Sequence, residues 1–191
     1  MRKRSRLDLL VDWKIGAIDR FLGEAYDYFG RRILEAGGAD GDWITPEGRL
    51  TEPQTLVECQ RLVLESSIQE LNNLVDSILL ALVWRATEEA EPADLAESQR
   101  TSRASLEKAI EKRYGCPLRF IPGWDVVERL REQVNAIKHR SGMTLRYRGE
   151  SGFNEIVTVR VSPEDVRESI RATRNWLVGV IKATEGGQEA V

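Results

Sequence analysis

The feature that most limits how this chain can fold is a run of apolar residues in steps of four and three. Leu64, Ile68, Leu71, Val75, Ile78 and Leu82 fall on one stripe of an α-helix but on both faces of a strand. The alternating step suits packing against another helix at a shallow angle. Leu74, Leu79 and Trp84 widen the stripe, so a helix over 53–85 is expected to be contacted on more than one side. Val11, Ile15, Ile18, Leu22, Tyr26, Phe29 and Ile33 repeat the pattern over 7–33. Gly37-Gly38 closes that helix, and 39–48, with Pro46, reads as a loop.

Beyond residue 85 the pattern changes. Residues 87–97 carry Glu88, Glu89, Glu91, Asp94 and Glu97 around Pro92, with no base among them, as a solvated connector does. A weaker helix is expected over 99–114, stopped by Gly115. In 116–123 the apolar Leu118, Phe120 and Ile121 between two prolines suggest a packed loop. Val127, Leu130, Val134 and Ile137 mark a fourth helix over 124–140. Leu145 and Tyr147 then alternate with arginines, and Val157, Val159 and Val161 alternate with polar residues across a turn-rich 149–154. Ser162-Pro-Glu-Asp165 opens a last helix with an N-cap, a proline at the first helical position and acids in the first turn. The expectation is a mainly α protein. It is a helical bundle of four to five helices with a β-hairpin between the last two, forming a single domain over 1–185 with a flexible tail over 186–191.

Composition excludes several classes. Apolar residues make up 41% and charged residues 31%, enough for a core without disulfides or a structural metal. Cys59 and Cys116 stand far apart, outside any metal or disulfide spacing, so both read as small apolar residues in a reducing compartment. The basic start Arg2-Lys-Arg-Ser-Arg6 is followed by an apolar stretch broken by Asp8, Asp12 and Lys14, which does not fit a signal peptide. No stretch is apolar enough for a membrane span. A cytoplasmic protein without cofactor or metal is expected. Trp13, Trp84, Trp124 and Trp176 lie in or beside helices, where core packing is the default.

The one concentration of polar chemistry lies around Asn135 and His139. His139 is the only histidine, the side chain best able to exchange protons near neutrality. Arg131, Asn135 and His139 follow at steps of four and form one row, which swings from the edge of the apolar stripe towards the far side of the helix. Between Arg129 and Arg148 the sequence holds six bases (Arg129, Arg131, Lys138, Arg140, Arg146 and Arg148) against one acid, Glu132. Such a surface suits phosphate, which arginine grips as a rigid fork and lysine as a point charge. The plainer account of the same residues is a cation favoured at a helix C-terminus and the wet face of a two-stranded sheet.

The stretch from Glu128 to Gly142 resembles the motif-bearing helix of HEPN domains. Those are small helical bundles of prokaryotic toxin–antitoxin, abortive-infection and CRISPR-associated systems. Arg61 to Asp76 is similar to their early long helix, and the helix opened by Ser162-Pro-Glu-Asp165 fits the same plan. The resemblance spans about 54–183 in order of elements and is specific only over Asn135 to Arg140. In the family an arginine is followed by four to six residues and then a histidine, with a polar residue commonly right after the arginine. Asn135 and His139 match, but Val134 stands where the arginine would be, and Arg131 is the nearest upstream base. The resemblance implies metal-independent RNA cleavage in a defence or toxin system. His139 would act on the ribose 2′-hydroxyl, Asn135 would orient it, and Arg131, or Lys138 or Arg140, would face the phosphate. Lys138, Arg140, Arg146 and Arg148 would bind RNA. It also implies a homodimer in which two motif helices meet, with an antitoxin or defence-system protein as partner. The alternative is a non-catalytic helical module that binds RNA or a partner subunit through the basic face 129–148.

Overall fold

The computed structural model describes residues 5–38, 45, 51–85, 102–140, 143–148, 153–158 and 161–186, with backbone alone at 85, 139, 140, 143–148, 153–158 and 186. The expected loop 39–48 (Thr45 apart), the acidic connector 87–97, the first residues of the third expected helix, the turn at 149–152 and the tail from 187 lie outside the described residues.

The chain is mainly helical. Among the described residues five α-helices occur: α1 (Arg6–Glu35), α2 (Glu52–Arg85), α3 (Arg103–Tyr114), α4 (Trp124–Arg140) and α5 (Pro163–Gly186). The backbone of β1 (Met143–Arg148) pairs antiparallel with β2 (Phe153–Thr158), from Met143 opposite Thr158 to Arg148 opposite Phe153. The second strand therefore begins four residues before the alternation that starts at Val157. No helix of the described residues is long and apolar enough to cross a membrane.

The chain divides into two compact units. The first comprises 1–15, 71–130 and 169–191, the second 16–70 and 131–168. In the first, Leu71, Ile78 and Leu79 of α2, Ile110 of α3, Val127 and Leu130 of α4 and Leu177 and Ile181 of α5 are almost wholly buried. Each such side chain contributes about 1.5–3 kcal/mol relative to exposure. Trp176 is fully buried, and its indole Nε1 donates to the Leu118 carbonyl at 3.2 Å, so the ring is packed without stranding its one polar atom. Its centroid lies 5.7 Å from that of Trp124. α3 is capped at both ends: Ser102 Oγ accepts from the Ser105 N–H at 3.3 Å, and Gly115 takes the left-handed conformation.

The segment between α3 and α4 folds inward at one apolar residue and outward at another. Leu118 is fully buried in a short 3-10 turn (Leu118–Phe120), whose first N–H donates to Glu111 Oε1 at 2.9 Å. Phe120 is 72% exposed, with the Arg119 guanidinium 4.9 Å from its ring centre. The expectation of a packed loop holds for Leu118 and not for Phe120. A 3-10 turn sets neighbours about 120° apart, so only one of the two can face the core. Ile121-Pro-Gly-Trp124 then turns into α4, with the Trp124 N–H donating to the Ile121 carbonyl at 3.2 Å. Gly123 sits at φ 100°, and a Cβ there would lie 2.7 Å from the Ala172 carbonyl oxygen. On α5, a Cβ on Gly179 would lie 2.5 Å from Ile121 Cγ2.

In the second unit Ile18 and Leu22 of α1, Leu64 and Ile68 of α2, Val134 of α4 and Val166 of α5 are buried. Gln60 Nε2 donates to the Tyr26 carbonyl at 3.2 Å and would meet a Cβ on Gly30 at 3.3 Å, so α2 passes close to α1 there. α1 ends where Gly37 and Gly38 take φ 94° and 87° and the Gly38 N–H reaches back to the Ile33 carbonyl at 2.9 Å. α5 starts with a reciprocal capping box: the Asp165 N–H donates to Ser162 Oγ at 3.1 Å, and the Ser162 N–H to Asp165 Oδ2 at 2.9 Å.

One aromatic expectation is corrected. Trp13 is not a core residue but 66% exposed, because at 100° per residue it lies far round α1 from the buried Val11, Ile15, Ile18 and Leu22. Trp84 and Trp124 are half-buried, and Trp176 is enclosed.

Candidate nucleic-acid interface

The residues Arg131, Asn135, Lys138, His139, Arg140, Arg146 and Arg148 all belong to the second unit, on α4 and β1. α4 is positioned by Val127, Leu130, Val134 and Ala136, which are all buried. Ala136 lies on the flank opposite Val127, so the helix is covered over more of its circumference than a single stripe suggests. The uncovered side holds Asn135 and Lys138, both exposed. Arg131, at the edge, is half-buried and has an interaction partner within the protein. The row thus runs from a partly covered, engaged arginine to an open asparagine. The backbone of His139 continues it in the last turn of α4. The side chains of His139 and Arg140, like those of the strands, lie outside the described part.

Val134 is 2% exposed. A cation at this position would have to be desolvated or would push the helix off its packing.

Register adds a neighbour that the window 129–148 stops short of. Glu155 of β2 stands opposite Arg146, while Arg148 stands opposite Phe153. The strand pair therefore carries one acid beside its two arginines. Elsewhere in the second unit the Tyr26 hydroxyl is held above its ordinary range, first by burial and then by Glu164, against the lowering effect of Arg167. It remains a protonated hydroxyl near neutrality.

Sequence reasoning missed the most enclosed charge among the described residues. In the first unit, Arg103 at the start of α3 has its side chain 6% exposed. Nε donates to Asp76 Oδ1 at 2.6 Å, and Nη2 donates to Asn72 Oδ1 at 2.7 Å and to the Asn72 carbonyl at 3.1 Å. Asn72 Nδ2 donates in turn to Asp76 Oδ2 at 3.3 Å. The partners lie 27 and 31 residues upstream, beyond any local spacing rule. This is a clamp holding α3 on α2, with its charge neutralised in place.

Among the described residues no group of three or more His, Cys, Asp or Glu side chains is placed to hold a metal ion. Cys59 and Cys116 are free, half-buried thiols. No protein-family model matches the chain, and neither a curated protein nor a solved structure matches it.

Proposed function

We propose that this chain is a HEPN-like, metal-independent endoribonuclease of a prokaryotic defence or toxin–antitoxin system, with RNA as substrate and α4 as the working helix. The observation that carries the reading is the position of Asn135. It is exposed on the row from Arg131 to His139, clear of the buried Leu130 and Val134. In this reading His139 exchanges the proton of a ribose 2′-hydroxyl, and Asn135 orients the imidazole or a phosphate oxygen. Arg131, or Lys138 or Arg140 in its place, stabilises charge developing on the phosphate. Lys138, Arg140, Arg146 and Arg148 hold the backbone of the RNA. An antitoxin or other defence-system protein would be the protein partner, in the cytoplasm.

The test is cleavage of mixed structured and single-stranded RNAs in excess chelator. The expected products end in 2′,3′-cyclic phosphate, and His139→Ala slows the step by about 10²–10⁴-fold. Full activity of Arg131→Ala would move the phosphate role to Lys138 or Arg140. Equal cleavage by wild type and His139→Ala would mark a contaminating nuclease and end the enzymatic reading.

The burial of Val134 and the engagement of Arg131 favour a second reading. In it α4 and the strand pair form a non-catalytic surface that binds RNA or a partner subunit. Binding should then weaken steeply with salt and weaken further in Arg146→Ala/Arg148→Ala, with no cleavage under any condition. Undetectable RNA binding at low salt would leave only the partner-subunit version.

A further inference from the structure

α1 carries an apolar stripe that faces the core and a second, exposed line that mixes apolar and charged residues. Roughly 115° round the helix from Val11, Ile15, Ile18 and Leu22, at 100° per residue, runs a second line: Leu10, Lys14, Ala17, Phe21, Glu24 and Tyr28. All six are exposed, with Leu10 at 38%, Phe21 at 48% and Tyr28 at 52%. The steps are four, three, four, three and four, the spacing of a coiled-coil seam, over about 27 Å of helix at 1.5 Å per residue. Trp13 flanks the seam, with Lys14 Nζ 5.1 Å from its ring centre.

The seam is complementary to itself in one orientation. Turned end for end about the level of residue 19, it sets Leu10 against Tyr28, Lys14 against Glu24 and Ala17 against Phe21 of a second copy. Each cation then meets an acid, and the smallest side chain meets a large one. This is also the pairing of unlike seam positions that antiparallel coiled coils adopt. A parallel pairing would set Lys14 on Lys14 and Glu24 on Glu24. Arg20 approaches its own copy near the axis, but it stands one turn from Glu24 on its own helix, at a spacing where opposite charges attract.

We propose that this outer face of α1 is where two copies of the chain meet, antiparallel and two-fold symmetric. The resemblance implies a different surface, the motif helix, where Arg129, Arg131, Lys138 and Arg140 are interleaved with Glu128 and Glu132 on α4. The inference does not depend on RNA being cleaved or bound.

The test is a charge-swap cycle followed by sedimentation equilibrium at micromolar concentration, with circular dichroism to check the fold. Wild type is expected at twice the 21.7 kDa chain mass. Lys14→Glu and Glu24→Lys each place like charges in two layers and should weaken the dimer by about tenfold or more. Lys14→Glu/Glu24→Lys together should restore it to within about threefold. Phe21→Asp should give a folded monomer, since the side chain is half exposed in a single copy. A monomeric wild type overturns the proposal. So does a dimer indifferent to Phe21→Asp and to both single swaps, which would move the contact elsewhere. A double swap weaker than either single one overturns the antiparallel register.

Discussion

Two arginine–asparagine arrangements in this protein share an ingredient list and differ in every consequence. At the start of α3, Arg103 is buried and gripped by Asn72 and Asp76. On α4, Arg131 is half-buried and Asn135, one turn on, points its polarity at solvent. The first spends Nε and Nη2 on joining two helices, although its buried Nη1 finds no acceptor. The second keeps an amide unoccupied by the core. A buried guanidinium is specified by geometry from distant residues, whereas an exposed row is specified by the helix alone. Residue type therefore says little about whether an arginine is structural. Enclosure decides it.

The comparison breaks most clearly at Arg103. Arg103→Met keeps the bulk and removes the charge, leaving Asn72 and Asp76 without their donor. Breaking a fully buried pair costs about 3–5 kcal/mol. Asp76 retains 45% exposure and can rehydrate, so about 2–3 kcal/mol is expected instead. Thermal melting, falling by about 5–10 °C, reads it. A melting point unchanged from wild type would show that the clamp contributes nothing.

An intermediate case is Arg61, whose side chain is half exposed and pairs with Glu58 and Glu65 along α2. The Glu58 carboxyl is held below its ordinary range, chiefly by its hydrogen bond to Arg61. A depressed folded-state pKa contributes stability above the unfolded value of about 4.3 and loses it as pH falls through the folded value. Both side chains are about half open to water, so at most about 1 kcal/mol is at stake. Denaturant titrations of wild type and Glu58→Gln should therefore differ at pH 7 and converge below pH 4. A constant gap across that range would assign the effect to something other than ionisation.

The smallest effect belongs to Asn135. Asn135→Ala should leave stability within about 0.5 kcal/mol of wild type, because the side chain is exposed on a helix that its opposite face anchors. A loss above about 1 kcal/mol would mean that Asn135 is held as Asn72 is, and the contrast between the two sites would collapse.

What the sequence made legible follows the same division. The core stripes of α1 and α2, the start of α5 at Ser162 and the buried side of α4 at Leu130 and Val134 all follow from spacing within one helix, where 100° per residue does the work. The outward turn of Asn135 was legible for the same reason. The enclosure of Arg103 was not, because its partners are assigned by packing between elements. Trp13 and Phe120 failed differently: side-chain type suggested burial, while their angular positions placed them outside. Glu155 beside Arg146 needed the strand register, which a count along the chain cannot supply.

Gly179 has a consequence for how this sequence can drift. The space for its Cβ is already taken by a methyl of Ile121, so any larger residue at 179 must be answered at 121. Ile121→Ala would clear that methyl and make Gly179→Ala tolerable, although either change alone is a loss. Variation at the two sites is thus permitted as a pair: a larger side chain at 179 calls for a smaller one at 121.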